Sequence, residues 1–385
     1  MKRVLISGAG IAGLTLACCL ADFGWQVDVI EKAEGERKSG YMITFFGNGW
    51  GVAKKMKILD PIKEIRYPFQ EFQYVDSLGK PYFNVRLDLV RKGFGQEYTY
   101  LRRPDFERIL LERSKELSIH VKYKTQVAQV NEASDSVSVS FQNGDINSYD
   151  LVVGADGMHS GVRKMVFGEE NQFSRYLGYG VAAFQTKYRG EIGGSVKIHQ
   201  ETNRSAIYYP VSEKAMDCVF MFPWTAERVP KENYKSVLLE TYAGSKWISQ
   251  DVIKRMPEQG IEYFDVLKQI QMQTWTKNHV CLVGDACACL SPLAGQGASM
   301  AMLEAFVLAN ELKKSASVKE GLLRYESILK SDIESRQIQA IHLTHRFVST
   351  STQETAWNRL VTRLEFSPLL VGRTAKVFKG KIHQI

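Results

Sequence analysis

The segment Arg3-Val4-Leu5-Ile6-Ser7-Gly8-Ala9-Gly10-Ile11-Ala12-Gly13 joins a short apolar run to a glycine-rich turn. Its Val, Leu and Ile predict a buried strand over 3–7, and a helix is expected over 11–23. Val27, Val29 and Ile30 predict a second strand over 26–31, completing a βαβ opening. Gly8, Gly10 and Gly13 fit G-x-G-x-x-G in the strand–turn–helix context that the motif needs. The first glycine permits the tight turn, the second lets backbone N–H groups approach a pyrophosphate, and the third allows close helix–strand packing. The helix N-terminus adds its partial positive charge. Glu31 ends the second strand, where a carboxylate accepts hydrogen bonds from a ribose diol and disfavours a 2′-phosphate. A dinucleotide is expected here, but NADP is not. The loop alone does not separate NAD from FAD.

The chain has 385 residues, 44% hydrophobic and 24% charged, which is the profile of a packed globular protein. Disorder, a small disulfide scaffold and a collagen-like fibre are excluded. At ~100–200 residues per domain, two or three domains are expected. The net charge is +8, which favours encounter with anionic ligands. No block of like charges argues for nucleic acid. The six cysteines form no C-x-x-C pair, and three lie in apolar runs, which suits a reducing compartment. Residues 4–21 are uncharged and could pass for a signal peptide, but the glycines and the dinucleotide loop explain them better. A cytoplasmic protein is the expectation.

Two further strand-to-turn junctions lie far along the chain. The apolar run 151–153 ends in Gly154-Ala155-Asp156-Gly157, followed by Ser160 and Arg163. The run 279–283 ends in Gly284-Asp285-Ala286, followed by Ser291-Pro292-Leu293-Ala294-Gly295-Gln296-Gly297 and a long helix. Both place a turn and an acid where parallel strands end, which is where ligands bind in open α/β sheets. Read plainly, Asp156 and Asp285 are also the residues expected of loop or helix caps. Between these junctions, 120–142 alternates as strands with a hairpin turn at Asn143-Gly144, and 176–275 reads as strand throughout. Helices are expected over 104–117, 298–313, 319–345 and 356–370. One nucleotide-binding domain built from distant segments, with a second sheet domain in the insertions, is the expected architecture.

Taken together, the three motifs resemble the class A FAD-dependent monooxygenases, the para-hydroxybenzoate hydroxylase-like family. The Ser291–Gly297 loop, the length and the helical tail are most similar to its tetracycline-inactivating members. The resemblance implies an α/β fold: a Rossmann-like, GR2-type FAD-binding domain, an inserted mainly antiparallel β-sheet substrate domain and a C-terminal helical extension. It implies that 1–70, 100–170 and 278–315 bind FAD, 71–99 and 171–277 bind substrate, and 316–385 form the C-terminal helices. The implied cofactor residues are Gly8, Gly10, Ala12, Gly13 and Glu31, then Arg37 and Arg103 near the adenosine and diphosphate. Asp156 would shape the sheet edge, and Asp285 would bind the ribityl region. Pro292, Gly295, Gln296 and Gly297 would face the isoalloxazine.

The implied reaction uses NADPH or NADH and O2 to hydroxylate an aromatic or polycyclic small molecule, such as a tetracycline, through a flavin C4a-hydroperoxide. No protein acid–base residue is required, because the flavin carries the chemistry. The substrate candidates are Gln185, Arg204, Tyr208, Tyr209, Phe220 and Phe222, with Pro292 and Leu293 on the flavin side. Core packing is the plainer reading of each aromatic. A GR2-type flavin reductase acting on isoprenoid chains and a non-catalytic flavin-binding protein remain as alternatives. His342 and His345 lie at i, i+3 without a companion ligand motif, so no metal is expected. Arg373, Lys376, Lys379 and Lys381 make a basic end. Such an end can be drawn to a membrane surface, but a solvated end is expected. No nucleic-acid or membrane partner is expected.

Overall fold

The computed structural model describes all residues except 39, 96, 188–193, 226–229, 257–262, 292–294, 368 and 380–385. Its organising element is a six-stranded sheet in the order Thr276–Lys277, Val280–Leu282, Leu151–Gly154, Arg3–Ser7, Gln26–Ile30, Val121–Lys122. Every neighbouring pair is parallel except the first. The central strands bury Val4, Leu5 and Ile6 beside Leu151, Val152 and Val153. A parallel sheet covered on both faces demands such continuous apolar runs. Three stretches far apart in sequence thus end side by side, and their turns gather along one edge. Helix Ile11–Asp22 packs against helix Gly297–Lys314 on one face of the sheet. The strands Val127–Glu132, Val137–Phe141 and Ile146–Tyr149 form a separate antiparallel sheet. Its hairpin turns at Asn143-Gly144, where Gly144 has φ +90°.

A seven-stranded sheet runs Tyr263–Ile270, Ser174–Lys187, Ala215–Pro223, Arg204–Ser212, Val196–Glu201, Glu71–Val75, Pro81–Arg86. Only the pair Val196–Glu201 with Glu71–Val75 is parallel. Strand was expected throughout 176–275, yet helices Tyr234–Thr241 and Ser249–Lys254 form there. They bury Leu238, Tyr242, Val252 and Ile253 against one face of the sheet, together with Tyr208, Phe220 and Phe222. Burial against a sheet, rather than local propensity, decides such short segments.

The two-stranded pair Met42–Phe46 and Tyr98–Arg102 stands between the two large sheets. The C-terminal part is three helices, Val318–Phe347, Thr352–Glu365 and Val371–Lys379. Ser317 and Ser351 open the first two, each accepting from the N–H three residues on, with Glu320 and Glu354 reaching back. These are capping boxes. Helix Val371–Lys379 packs on helix Leu87–Gly93 at the rim of the second sheet. Among the described residues no helix is long and apolar enough to cross a membrane.

Candidate functional site

One cavity of about 570 Å³ runs from the N-terminal glycine loop, between the sheets, to the C-terminal helices. At its first end, Gly8 has φ +113°, and a Cβ there would lie 2.4 Å from the Ala155 carbonyl oxygen. A Cβ on Gly13 would lie 2.0 Å from the Gly8 oxygen. These two glycines let strand, turn and helix close on one another. Gly10 differs: nothing lies within 4 Å of its added Cβ, and the residue lines the cavity with Ala12. No side chain caps the helix that follows it, so its first N–H groups are left for water or a ligand. Glu31 accepts from the Ala9 N–H at 3.0 Å and the Ala33 N–H at 2.9 Å. Its carboxylate therefore fixes the loop as well as standing beside it.

Arg37 and Arg103 share a single partner. Their Nε atoms donate to the two oxygens of Glu107, at 3.0 and 2.9 Å. Both arginines line the cavity. Burial alone would pull the Arg103 pKa down, but Glu107, Tyr41 and Asp285 together outweigh it and leave the guanidinium above arginine's ordinary range. Glu107 was not legible from sequence, because a glutamate within a helical repeat carries no mark of two distant arginines.

The second and third motifs are tied to each other. Asp156 accepts from the N–H groups of Gly161 at 2.8 Å and Val162 at 3.1 Å, and from the Ser160 hydroxyl. Its carboxylate holds the start of helix Gly161–Val166, the plainer of its two expected roles, although the residue also borders the cavity. Burial raises its pKa despite those donors. Arg163 is 1% exposed and donates to the Ala286 carbonyl at 2.8 Å and to the Met158 carbonyl. It clamps the turn around Asp285 to the turn around Asp156. From behind, Glu304 accepts from the Gly284 N–H at 2.7 Å. Asp285 faces the cavity near Arg103 and Tyr41.

Gly295 has φ +63° and lines the cavity, as does Gly297. Nothing lies within 4 Å of a Cβ on Gly297, and no side chain caps the 18-residue helix that begins there. Gln296 points away from the cavity, its amide oxygen bonded to the buried Arg336, which pairs with Asp332 at 3.0 Å. Pro292 and Leu293 lie outside the described residues.

The cavity thus meets two open, uncapped helix N-termini, at Gly10 and Gly297. Between them stand Arg103 and Asp285. An elongated dinucleotide with an anionic centre and a polyol arm needs this order of donors and acceptors. The residues present fit FAD.

Beyond Gly295 the cavity becomes apolar and aromatic. The face of the second sheet that lines it carries Val181, Ala183, Ile207, Tyr209 and Val219. Tyr208, Phe220 and Phe222 are on the other face, buried under helices Tyr234–Thr241 and Ser249–Lys254. Successive strand residues point to opposite faces, so only Tyr209 among the four aromatic candidates reaches the cavity. Arg204 shares the far face with Tyr208, pairs with Glu201 at 2.8 Å and donates to the carbonyls of Thr241 and Ala243. Gln185 lies outside the cavity lining, its amide donating to Asp217 at 2.9 Å. Asp217 is paired in turn with Arg102 at 3.3 Å. Aromatics missed from sequence take their place: Phe46, Phe94, Tyr98 and Tyr100. Tyr98 and Tyr100 alternate with Thr99 and Leu101, and this period of two is the signal that could have found them. His345 donates to or accepts from the Tyr179 hydroxyl at 3.0 Å.

Comparison with known proteins agrees with this geometry. The family described as FAD binding domain matches residues 1–331. A flavin-dependent monooxygenase from an unknown prokaryotic organism is 31% identical over 354 residues, spanning 90% of this chain and 91% of that protein. The crystal structure of tetracycline destructase Tet(55) superposes with a TM-score of 0.84 at 28% identity, covering 97% of each chain. Klebsiella pneumoniae HpxO, complexed with FAD and uric acid, shares the fold with a TM-score of 0.85 at 22% identity, covering 99% of this chain and 98% of its own. The chain belongs to the FAD-binding family of class A flavin-dependent monooxygenases.

Proposed function

We propose that this monooxygenase uses NAD(P)H and O2 to hydroxylate an aromatic or polycyclic small molecule held beside FAD. The observation that carries the reading is the continuity of the cavity, from the glycine loop through Gly295 into the aromatic chamber. The N–H groups beyond Gly10 and the fixed arginines Arg37 and Arg103 hold the diphosphate and adenosine portion. Glu31 takes the ribose and Asp285 the ribityl hydroxyls. When bound, FAD supplies the redox and oxygen-activating chemistry, while the chain supplies binding, orientation and electrostatics. The N-terminus of helix Gly297–Lys314 offers N–H donors and a positive dipole end, which favour negative charge. Tyr209, Phe46 and Phe94 exclude water and give a flat ring an apolar seat.

The test is NADPH consumption and oxygen uptake by FAD-loaded protein, with tetracycline as the first compound tried. Coupled uptake and a product heavier by one oxygen atom are expected. NAD(P)H oxidation by intact holoenzyme without oxygen incorporation into any of a panel of phenols and polycyclic ketones would favour a reductase instead.

A further inference from the structure

Strand Tyr98–Arg102 pairs with Met42–Phe46 so that Tyr100 stands opposite Thr44 and Tyr98 opposite Phe46. Directly opposed residues project to the same face of an antiparallel pair, and all four line the cavity. Thr44 also marks the flavin-facing loop: a Cβ on Gly295 would lie 3.4 Å from its hydroxyl oxygen. Tyr100 is therefore one cross-strand neighbour from that loop, and Tyr98 is one step further into the apolar chamber.

The two phenol oxygens are 2.5 Å apart. Among the described residues neither has another hydrogen-bond partner. Rings pack closely around them: Phe94 lies 5.0 Å from Tyr98 and Phe72 lies 5.4 Å from Tyr100, centroid to centroid, and the nearby Arg91 guanidinium donates to the Phe69 carbonyl instead. Each phenol carries one proton. One of the two protons is spent between the oxygens, and the other has no hydrogen-bond partner among the described residues. Burial pushes Tyr98 up to about 12 and Tyr100 well above tyrosine's usual range, so both protons stay in place at neutral pH. A phenol proton left over among aromatic rings is matched by a ligand that is apolar and brings an acceptor. A carbonyl fits best, because it brings lone pairs and no proton of its own to place.

We propose that the Tyr98–Tyr100 hydroxyl pair orients the substrate, donating its spare proton to a ring carbonyl oxygen of an otherwise apolar, fused-ring molecule. This rests on reading the aromatic chamber as the substrate site. The pair is a specificity determinant; it takes no part in forming or breaking bonds.

The test titrates FAD-loaded protein with 1-tetralone, a bicyclic ketone, and with tetralin, the same ring system without the oxygen. Perturbation of the flavin absorbance reports binding. Wild type is expected to bind the ketone at least about tenfold more tightly than the hydrocarbon. In the double variant Tyr98→Phe/Tyr100→Phe, which leaves no phenol proton in the pair, the ratio should fall to about threefold or less, with flavin content unchanged. If it fails to fold, the infrared carbonyl stretch of 1-tetralone bound to wild type carries the test, because a donated hydrogen bond lowers it. Equal affinities in wild type, an unchanged ratio in the double variant, an unshifted carbonyl stretch, or no binding of either probe overturns the proposal. Failure of wild-type protein to take up FAD would break the flavin reading instead, and the flavin-to-protein ratio separates the two failures.

Discussion

A methyl group on Gly13 would lie 2.0 Å from a backbone oxygen, whereas one on Gly10 would meet nothing within 4 Å. The same motif therefore holds two kinds of glycine, one packed into the fold and one open to the cavity. Gly13→Ala forces the Gly8 turn off the helix and is expected to cost about 1–3 kcal/mol of stability or more, as overpacking does. Gly10→Ala leaves the protein alone and blocks backbone approach to the diphosphate. Its stability should change by no more than about 0.5 kcal/mol. Its FAD affinity should fall by tenfold or more, which is about 1.4 kcal/mol. Thermal melts of the apoprotein and flavin titrations read the two effects separately. A Gly10→Ala protein that keeps wild-type FAD affinity would remove the loop from the binding site.

At the scale of elements, the turns that face the cavity are held by side chains from other elements. Arg163 in one short helix holds the Ala286 carbonyl, and Glu304 in the middle of helix Gly297–Lys314 holds the Gly284 N–H. The Asp285 turn and the Gly297 terminus are thus parts of one rigid unit. Glu304 is faced by Asp285, Cys287 and Tyr325, and burial raises its pKa from 4.5 to about 8. A carboxyl whose pKa rises on folding contributes stability that is complete below its unfolded value and is lost as pH climbs through its folded one. Wild-type stability should therefore fall across the window from 4.5 to about 8. Glu304→Gln keeps an acceptor for the Gly284 N–H and removes the titration. Its melting temperature, relative to wild type, should climb between pH 5 and pH 8 and then level off. A difference that stays constant across that range would show that Glu304 does not titrate there.

Elements also show what sequence could and could not convey. The motifs at Gly8, Gly154 and Gly284 were legible because each sits at the end of an apolar run, and parallel strands make such runs. The inward face of strands Arg204–Ser212 and Ala215–Pro223 was not legible. Both faces are apolar there, one toward the cavity and one toward two helices, so alternation between Tyr208 and Tyr209 carries no sign of direction. Glu107 and Glu304 were invisible for a different reason. Their roles are set by partners that only the tertiary fold brings near, such as Arg37, 70 positions from Glu107.

For the molecule as a whole, the cavity is a gap between two sheets that the C-terminal helices close. The residues proposed to hold the cofactor that line the cavity lie between Gly10 and Gly297, whereas Phe347, Phe366, Val371 and Ala375 line the far end. Two contacts among those that hold this closure can be tested. Arg346 pairs with Glu365 at 2.6 Å, tying the long helix to the next one. Helix Val371–Lys379 lies directly on Gly93, where an added Cβ would sit 3.1 Å from the Ala375 Cβ and 3.3 Å from the Val371 oxygen. Gly93→Leu puts a branched side chain into that contact and should lift the last helix from helix Leu87–Gly93. Because this contact is remote from the Gly8, Asp285 and Gly297 turns, flavin content and the flavin spectrum should stay as in wild type. Cleavage by a protease of broad specificity should accelerate within helix Val371–Lys379, because backbone that has lost its packing is the backbone that is cut. Mass spectrometry of the fragments locates the cut. Wild-type resistance in Gly93→Leu would mean that the Arg346–Glu365 pair and the packing of helix Thr352–Glu365 hold the closure without the last helix.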